Sequence, residues 1–318
     1  MSETDSDWTL YIKLISLPSL FTLCFIFGIF PYAIEKCRMN EAFLSYANTF
    51  SAGLFFGIGE FHLQAEGVEK LAKYSKLPLP FFLTSLGYSL ILFIQKVIFG
   101  DMAKRAESTL REVEKVSIDK VLKEDEDSGK VSLINSSTNE DKPVPETEEG
   151  EPNESTESKT DPITEQMLKQ KKLSAYIMLL ALSIHGLFET LALGIQTNFK
   201  NTFILFIALI IHQWAEAFSL GIFFVKAKLS KKHYYLVIFM FAAISPIGVL
   251  IGIILSKTAG EFIEGLFLNI STGTFLYVAC SEVIIEEFST PEKRYIKFLL
   301  YTIGILFAAG LNIFEDYI

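Results

Sequence analysis

The chain has 318 residues, half of them hydrophobic and 29 of them Phe, with a mean hydropathy of +0.37. That composition excludes an ordinary water-soluble domain of this length and points to a polytopic membrane protein. The net charge of −9 is concentrated in one block, residues 101–172, with 19 acidic and 12 basic side chains (net −7), so it implies no nucleic-acid partner.

An apolar stretch needs about 20 residues to cross a ~30 Å hydrocarbon core. Eight runs qualify: residues 10–33, 42–66, 79–99, 174–196, 202–225, 234–256, 263–286 and 295–314. The expected fold is an all-α integral membrane protein with eight transmembrane helices. The first run follows an acidic "MSETDSD", whereas a signal peptide begins with a basic segment and ends at a small-residue cleavage site. Residues 10–33 therefore read as a true span. Between the third and fourth runs lies "STNEDKPVPETEEGEPNESTESKTDP", rich in Glu, Pro, Ser and Thr. Such a segment cannot bury enough apolar surface to fold and reads as a disordered loop. Its first part, residues 101–127, has the composition of a charged helix extending the third span. The expected organisation is residues 1–100 with three helices, 101–172 as an acidic cytosolic loop, and 173–318 with five helices. "SPIGVLIG" at 245–252 places Pro246 in the sixth run, where it frees a backbone carbonyl and is expected to kink the helix. Cys24, Cys37 and Cys280 are scattered and form neither a disulfide framework nor a Cys-rich metal site.

Lys and Arg near span ends set orientation. With the N-terminus outside, the inner loops hold 16: Lys36, Arg38, Lys104, Arg105, Arg111, Lys115, Lys169, Lys171, Lys172, Lys226, Lys228, Lys231, Lys232, Lys293, Arg294 and Lys297. The outer segments hold six: Lys13, Lys70, Lys73, Lys76, Lys200 and Lys257. Both termini are expected outside and the acidic loop inside, in the plasma membrane.

An ionisable side chain inside a span costs a few kcal/mol, so each one calls for a reason. Of four histidines, His62, His185 and His212 lie in spans, and each has a glutamate four residues on: Glu66, Glu189 and Glu216. The fourth, His233, sits in a short basic loop. "HGLFETLALG" at 185–194 and "HQWAEAFSLG" at 212–221 share the form H-x-x-x-E-x-x-x-L-G. Spacing of four puts both side chains on one helical face. Imidazole and carboxylate are the non-thiolate ligands of zinc, and two carboxylates balance one divalent cation. One such pair is equally a hydrogen bond between helices; two in consecutive spans point to a four-ligand site of His185, Glu189, His212 and Glu216. His62 and Glu66, near the outer end of the second span, are either on the cation's path or interfacial. In "GTFLYVACSEVIIEEF" at 273–288, Glu282 is the deepest carboxylate and a candidate for the exit path, while Glu286 and Glu287 read as interfacial.

The chain resembles the ZIP family of zinc/iron permeases. "FSAGLFFGIGEFHLQAE" is similar to that family's second span, "SIHGLFETLALGIQ" to its fourth, "HQWAEAFSLG" to its fifth, "SPIGVLIG" to its sixth and "GTFLYVACSEVIIEEF" to its seventh. The resemblance implies eight helices, movement of divalent metal into the cytosol, and a primary site at His185, Glu189, His212 and Glu216. It further implies alternating access, by movement of the four-helix unit that bears the ligands against the other helices. Some family members hold a second metal beside the first; the matching positions here are Gly186, which offers no ligand, Gln213, a weak auxiliary ligand, and Ser245, so a full binuclear centre is not expected. The family's variable loop is often histidine-rich, and this one has no histidine.

No nucleotide-binding motif is present, so transport runs down a gradient or is coupled to another ion. Two imidazoles and two carboxylates suit zinc and ferrous iron, with affinity order favouring zinc, and no thiolate or Met cluster favours copper(I). The metal is bound as transported substrate and no cofactor is expected. The expected partners are that cation, the lipid bilayer and a second copy of the chain. The rival readings are an intramembrane zinc hydrolase, which needs a general base beside an open zinc position, and a scaffold whose polar pairs only join helices. No H-E-x-x-H motif occurs, and Glu189 and Glu216 read as ligands rather than bases, so an enzyme is not expected.

Overall fold

The computed structural model describes residues 3–36, 41–74, 77–100, 162–256, 260–289 and 292–316, and among these every regular element is helical. In chain order they are α1 (Glu3–Lys36), α2 (Glu41–Ile58), a π-helical turn (Gly59–Leu63), α3 (Gln64–Ala72), α4 (Leu79–Phe93), a π-helical turn (Ile94–Phe99), α5 (Pro162–Ile195), α6 (Phe199–Lys226), α7 (Lys231–Leu255), α8 (Glu261–Tyr277), a π-helical turn (Val278–Val283), α9 (Ile284–Ser289) and α10 (Arg294–Asp316). Among the described residues seven helices are long and apolar enough to cross a membrane. The second run, residues 42–66, is the one not among them: the first π-turn interrupts it, Glu60, His62 and Glu66 lie near its end, and Glu69 and Lys70 follow just beyond. The chain is a multi-pass membrane protein.

Residues 1–93 and 162–318 form one unit and residues 94–161 another. Of the second unit, the described part is residues 94–100. The acidic stretch through residue 161, including the candidate helix at 101–127, lies outside the described residues. The fourth long helix starts at Pro162, twelve residues before the expected span at 174. The reason is local: Pro suits the first helical position, and "EQMLKQKKL" is built of strong helix formers, so the helix runs on past its apolar part. Helix α7 runs unbroken through Pro246.

Within the first unit the long helices sort into two bundles, with α1, α5, α6 and α7 in one and α2, α3, α4, α8 and α10 in the other. Small residues permit the close approaches. A Cβ at Gly248 would strike the Thr190 hydroxyl, and one at Gly252 would strike the Leu191 carbonyl, so α5 lies directly on α7. A Cβ at Gly53 would strike the Tyr301 carbonyl, which ties α2 to α10 in the same manner. The C-terminal carbonyls of α5 lack helical partners, and the buried Lys13 of α1 donates to one of them, Gly194 (2.6 Å). The α6 N-terminus is capped by Asn198, whose side chain accepts from the Asn201 amide at 3.2 Å.

Candidate metal centre

Helix α5 carries His185 and Glu189, and α6 carries His212 and Glu216, each pair one turn apart on the face turned toward the other helix. All four are buried, none more than 1% exposed. Glu189 Oε2 lies 3.3 Å from His185 Nε2 and 3.1 Å from His212 Nε2. Glu216 Oε1 lies 3.3 Å from His185 Nε2 and 3.6 Å from His212 Nε2. Nitrogen and oxygen thus alternate around a closed ring. A tetrahedral ion with ligand bonds of about 2.0–2.1 Å requires six ligand-to-ligand edges of roughly 3.3–3.4 Å; the four nitrogen–oxygen sides, 3.1–3.6 Å, are near that length. One ligand atom from each residue can be chosen so that all four lie within 4.8 Å of one another.

The polar accounting also fits a cation. His185 Nε2, Glu189 Oε1 and Glu216 Oε1 are buried without a hydrogen-bond partner. Buried polar groups are normally paired, and two carboxylates side by side call for positive charge. The protonation of His185 follows from its other nitrogen. The Ser271 hydroxyl of α8 lies 2.7 Å from His185 Nδ1 and donates to the His185 carbonyl at 3.1 Å. A hydroxyl has one hydrogen, so with that hydrogen on the carbonyl, Ser271 Oγ accepts from Nδ1–H. This leaves the Nε2 lone pair facing the carboxylates, as a metal ligand requires. Phe275, one turn further along α8, stacks on the His185 ring at 4.1 Å and 16°, which fixes the ring's plane.

The ZIP zinc transporter model matches residues 10–312 of the chain. The chain belongs to the ZIP zinc transporter family. It is 24% identical to zinc transporter ZIP1 of Danio rerio over 323 residues, covering 96% of this chain and 98% of that protein. It is 30% identical to zinc transporter ZIP2 of Homo sapiens over 141 residues, 43% of this chain and 46% of the human protein. The match to protein zntD of Dictyostelium discoideum, 36% over 126 residues, covers 38% of this chain and 18% of that one. Family membership, together with a buried His/Glu cluster able to hold a metal, supports zinc transport over the hydrolase and scaffold readings.

In this ZIP protein the other candidate residues are not members of the four-ligand ring. His62 falls in the first π-turn, with Nε2 4.0 Å from Glu66 Oε2, and both are partly exposed. Glu66 also pairs with Lys70 at 3.2 Å, and Lys70 reaches Glu264 of α8 at 2.5 Å. Glu282 is buried in the third π-turn and accepts from Ser174 of α5 at 3.0 Å. Gln213 donates through Nε2 to the Ser245 hydroxyl of α7, while its Oε1 is buried without a partner.

Several polar residues escaped the sequence reading. Glu287, expected at the interface, is 2% exposed. It pairs with Lys226 (2.7 Å) and Lys297 (3.4 Å) and accepts from Ser45 and from Asn48 (2.8 Å). Asn48 in turn accepts from Ser219 of α6 at 2.6 Å. Gln196, just beyond α5, donates to the buried Glu264. Apart from Lys297, ten residues from Glu287, these partners are distant in sequence, so no local pattern marks them. The available signal was the cost of an intramembrane carboxylate, which applies to Glu264 and Glu287 as it does to Glu189.

Proposed function

We propose that this chain carries zinc into the cytosol through the ring of His185, Glu189, His212 and Glu216, with ferrous iron as the competing substrate. The observation that carries the assignment is the closed ring of two imidazole nitrogens and two carboxylate oxygens, with buried atoms that lack any other partner. Gln213 is an auxiliary ligand beside it. His62 and Glu66 lie on the entry side and Glu282 on the exit side, with both termini outside and residues 101–172 forming a cytosolic loop between residues 1–100 and 173–318. An inward potential of ~100 mV supplies about 2.3 kcal/mol per charge, roughly 4.6 for a dication, or about three orders of magnitude in concentration. No chemical step is assigned, since both glutamates are used as ligands. The chain works in the plasma membrane as a homodimer.

Alternating access needs a boundary along which two bodies move. The boundary between the bundles is crossed by side-chain hydrogen bonds and ion pairs: His185 with Ser271, Ser174 with Glu282, Ser219 with Asn48, Gln196 with Glu264, and Lys226 with Glu286 and Glu287. Such contacts can be exchanged for water, which supports sliding of the α1, α5, α6 and α7 bundle past the other.

The test is metal uptake by purified protein in sealed vesicles, with iron and manganese as competitors. Zinc uptake that is nearly abolished by His185→Ala or His212→Ala is the expected result. Wild-type rates in either variant, at equal incorporation, would remove the ring from the pathway.

A further inference from the structure

Helix α6 meets the opposite bundle through a line of polar contacts that starts one turn from the ring and ends at the α6 C-terminus. Ser219 lies one turn after Glu216, and Lys226 lies two turns beyond Ser219 on the same face. The Ser219 hydroxyl donates to Asn48 Oδ1 of α2 at 2.6 Å, and the Asn48 amide donates to Glu287 Oε1 of α9 at 2.8 Å. Lys226 closes the line, with Nζ 2.7 Å from the same Glu287 Oε1 and 3.0 Å from Glu286 Oε1. Helix α9 packs on α2 and α10, so Glu287 belongs to the bundle opposite α6. Ser219 and Asn48 are fully buried, Glu287 is nearly so, and the Lys226 side chain is 26% exposed. The line therefore runs from the dry ring to a partly open mouth.

The two ends of the boundary between the bundles are held differently. At the far end, Gln196 beyond α5 donates to the buried Glu264 of α8, whose counter-charge, Lys70, comes from α3 in Glu264's own bundle. At the Lys226 end the counter-charge itself crosses from one bundle to the other. Glu287 does not depend on it alone. Lys297 of α10 lies 3.4 Å from Glu287 Oε2 and donates to the Glu287 carbonyl at 2.5 Å, and Ser45 and Asn48 of α2 donate to the carboxylate. Lys226 can thus leave without stranding a buried charge, because Glu287 keeps a cation from its own bundle. The ammonium sits on a flexible four-carbon stem and regains water at the open mouth. We propose that Lys226 is the latch of an inner gate. Seated on Glu286 and Glu287, it holds the Ser219–Asn48 contact shut below the ring, and it leaves before a cation passes from the ring to the cytosol, an assignment that rests on the orientation and the sliding bundles proposed above.

Ala52 of α2, fully buried and one turn deeper than Asn48, reports the gate. Ala52→Cys is made in the full chain carrying Cys24→Ala, Cys37→Ala and Cys280→Ala. Its rate of reaction with a membrane-impermeant, charged thiosulfonate is measured in right-side-out and in inside-out membrane vesicles. Lys231→Cys, exposed at the start of α7, marks the face on which the Lys226 end opens. Lys226→Met is expected to raise the Ala52→Cys rate from that face by about tenfold or more, the worth of a charged hydrogen bond, with no change from the opposite face. Lys226→Arg, which keeps the charge, should react at the rate of the chain with Lys226. Lys226→Gln, which keeps a donor but not the charge, should also react faster, and it carries the test where Lys226→Met does not fold. An unchanged rate in the uncharged variants overturns the latch. So does an equal rise from both faces, or an equal rise in Lys226→Arg, either of which makes Lys226 a general brace of the fold. A Lys231→Cys that reacts from the outer face refutes the orientation instead, and the latch then stands or falls by the same rates on that face.

Discussion

Glu189→Gln removes one of the two negative charges in the ring while keeping its shape. Glu189 Oε2 touches both histidines, at 3.3 and 3.1 Å, and the residue is 1% exposed. Breaking a buried charge pair by removing one partner costs about 3–5 kcal/mol. At about 1.4 kcal/mol per tenfold, zinc affinity should fall by roughly two to three and a half orders of magnitude. Stability of the metal-free protein should move in the opposite direction. Buried atoms without partners cost about 1–3 kcal/mol each, and Glu189 Oε1 is one of them; an amide in its place is cheaper to bury. The assay is thermal unfolding of purified protein with and without zinc. Zinc at a hundredfold excess over its dissociation constant stabilises by about 2.7 kcal/mol, and a hundredfold loss of affinity cuts this to about 0.4 kcal/mol. Glu189→Gln should therefore unfold at a higher temperature than the natural chain without zinc and gain little when zinc is added. A natural zinc-induced shift in the variant would refute the ring as the metal's ligand set.

Glu287→Ala removes the buried carboxylate that Lys226 and the buried Lys297 share and should destabilise by about 3–5 kcal/mol. Glu286→Ala loses only a half-exposed pair and should stay within about 1 kcal/mol; equal melting losses in the two would contradict this burial pattern. Gly252→Ala drives a methyl group into the Leu191 carbonyl and should cost about 1–3 kcal/mol in the same unfolding assay, whereas Gly310→Ala, with no atom within 4 Å of its Cβ, should cost far less. The sequons at Asn135 and Asn153 should stay unmodified in a glycosylating host. A mobility shift that a deglycosidase removes, and that vanishes when both become Gln, would invert the topology.

The parts of the site visible in the sequence were those with a local period. His185 and Glu189, like His212 and Glu216, repeat one spacing on adjacent spans, and helical geometry alone predicts a shared face. That the faces meet in a ring with edges of 3.1–3.6 Å depends on how α5 packs on α6, which spacing does not encode. Ser271 and Phe275 lie 86 and 90 positions from His185, and nothing near them marks them as its partners. Glu287 looked interfacial because it ends an apolar run; its burial follows from lysines on two other helices. Helix α5 outran its apolar segment because helix propensity continues through "EQMLKQKKL", while hydropathy reports only the part that suits lipid.

The contact between His185 and α8 makes grip depend on place. If the ring is the metal's site, as proposed, the histidine that would hold the ion belongs to one bundle, while the hydroxyl beside its Nδ1 and the ring stacked on its plane belong to the other. Any displacement of α5 along α8 by one turn takes His185 from Ser271 and Phe275 together. Its Nδ1 proton then has no assigned acceptor, and the imidazole is free to rotate or to exchange tautomers. Under the proposed mechanism, affinity for the cargo would not be a fixed property of four ligands but a function of stroke, high where α8 clamps the imidazole and lower elsewhere. A carrier built this way would load and unload with one unchanged set of ligands.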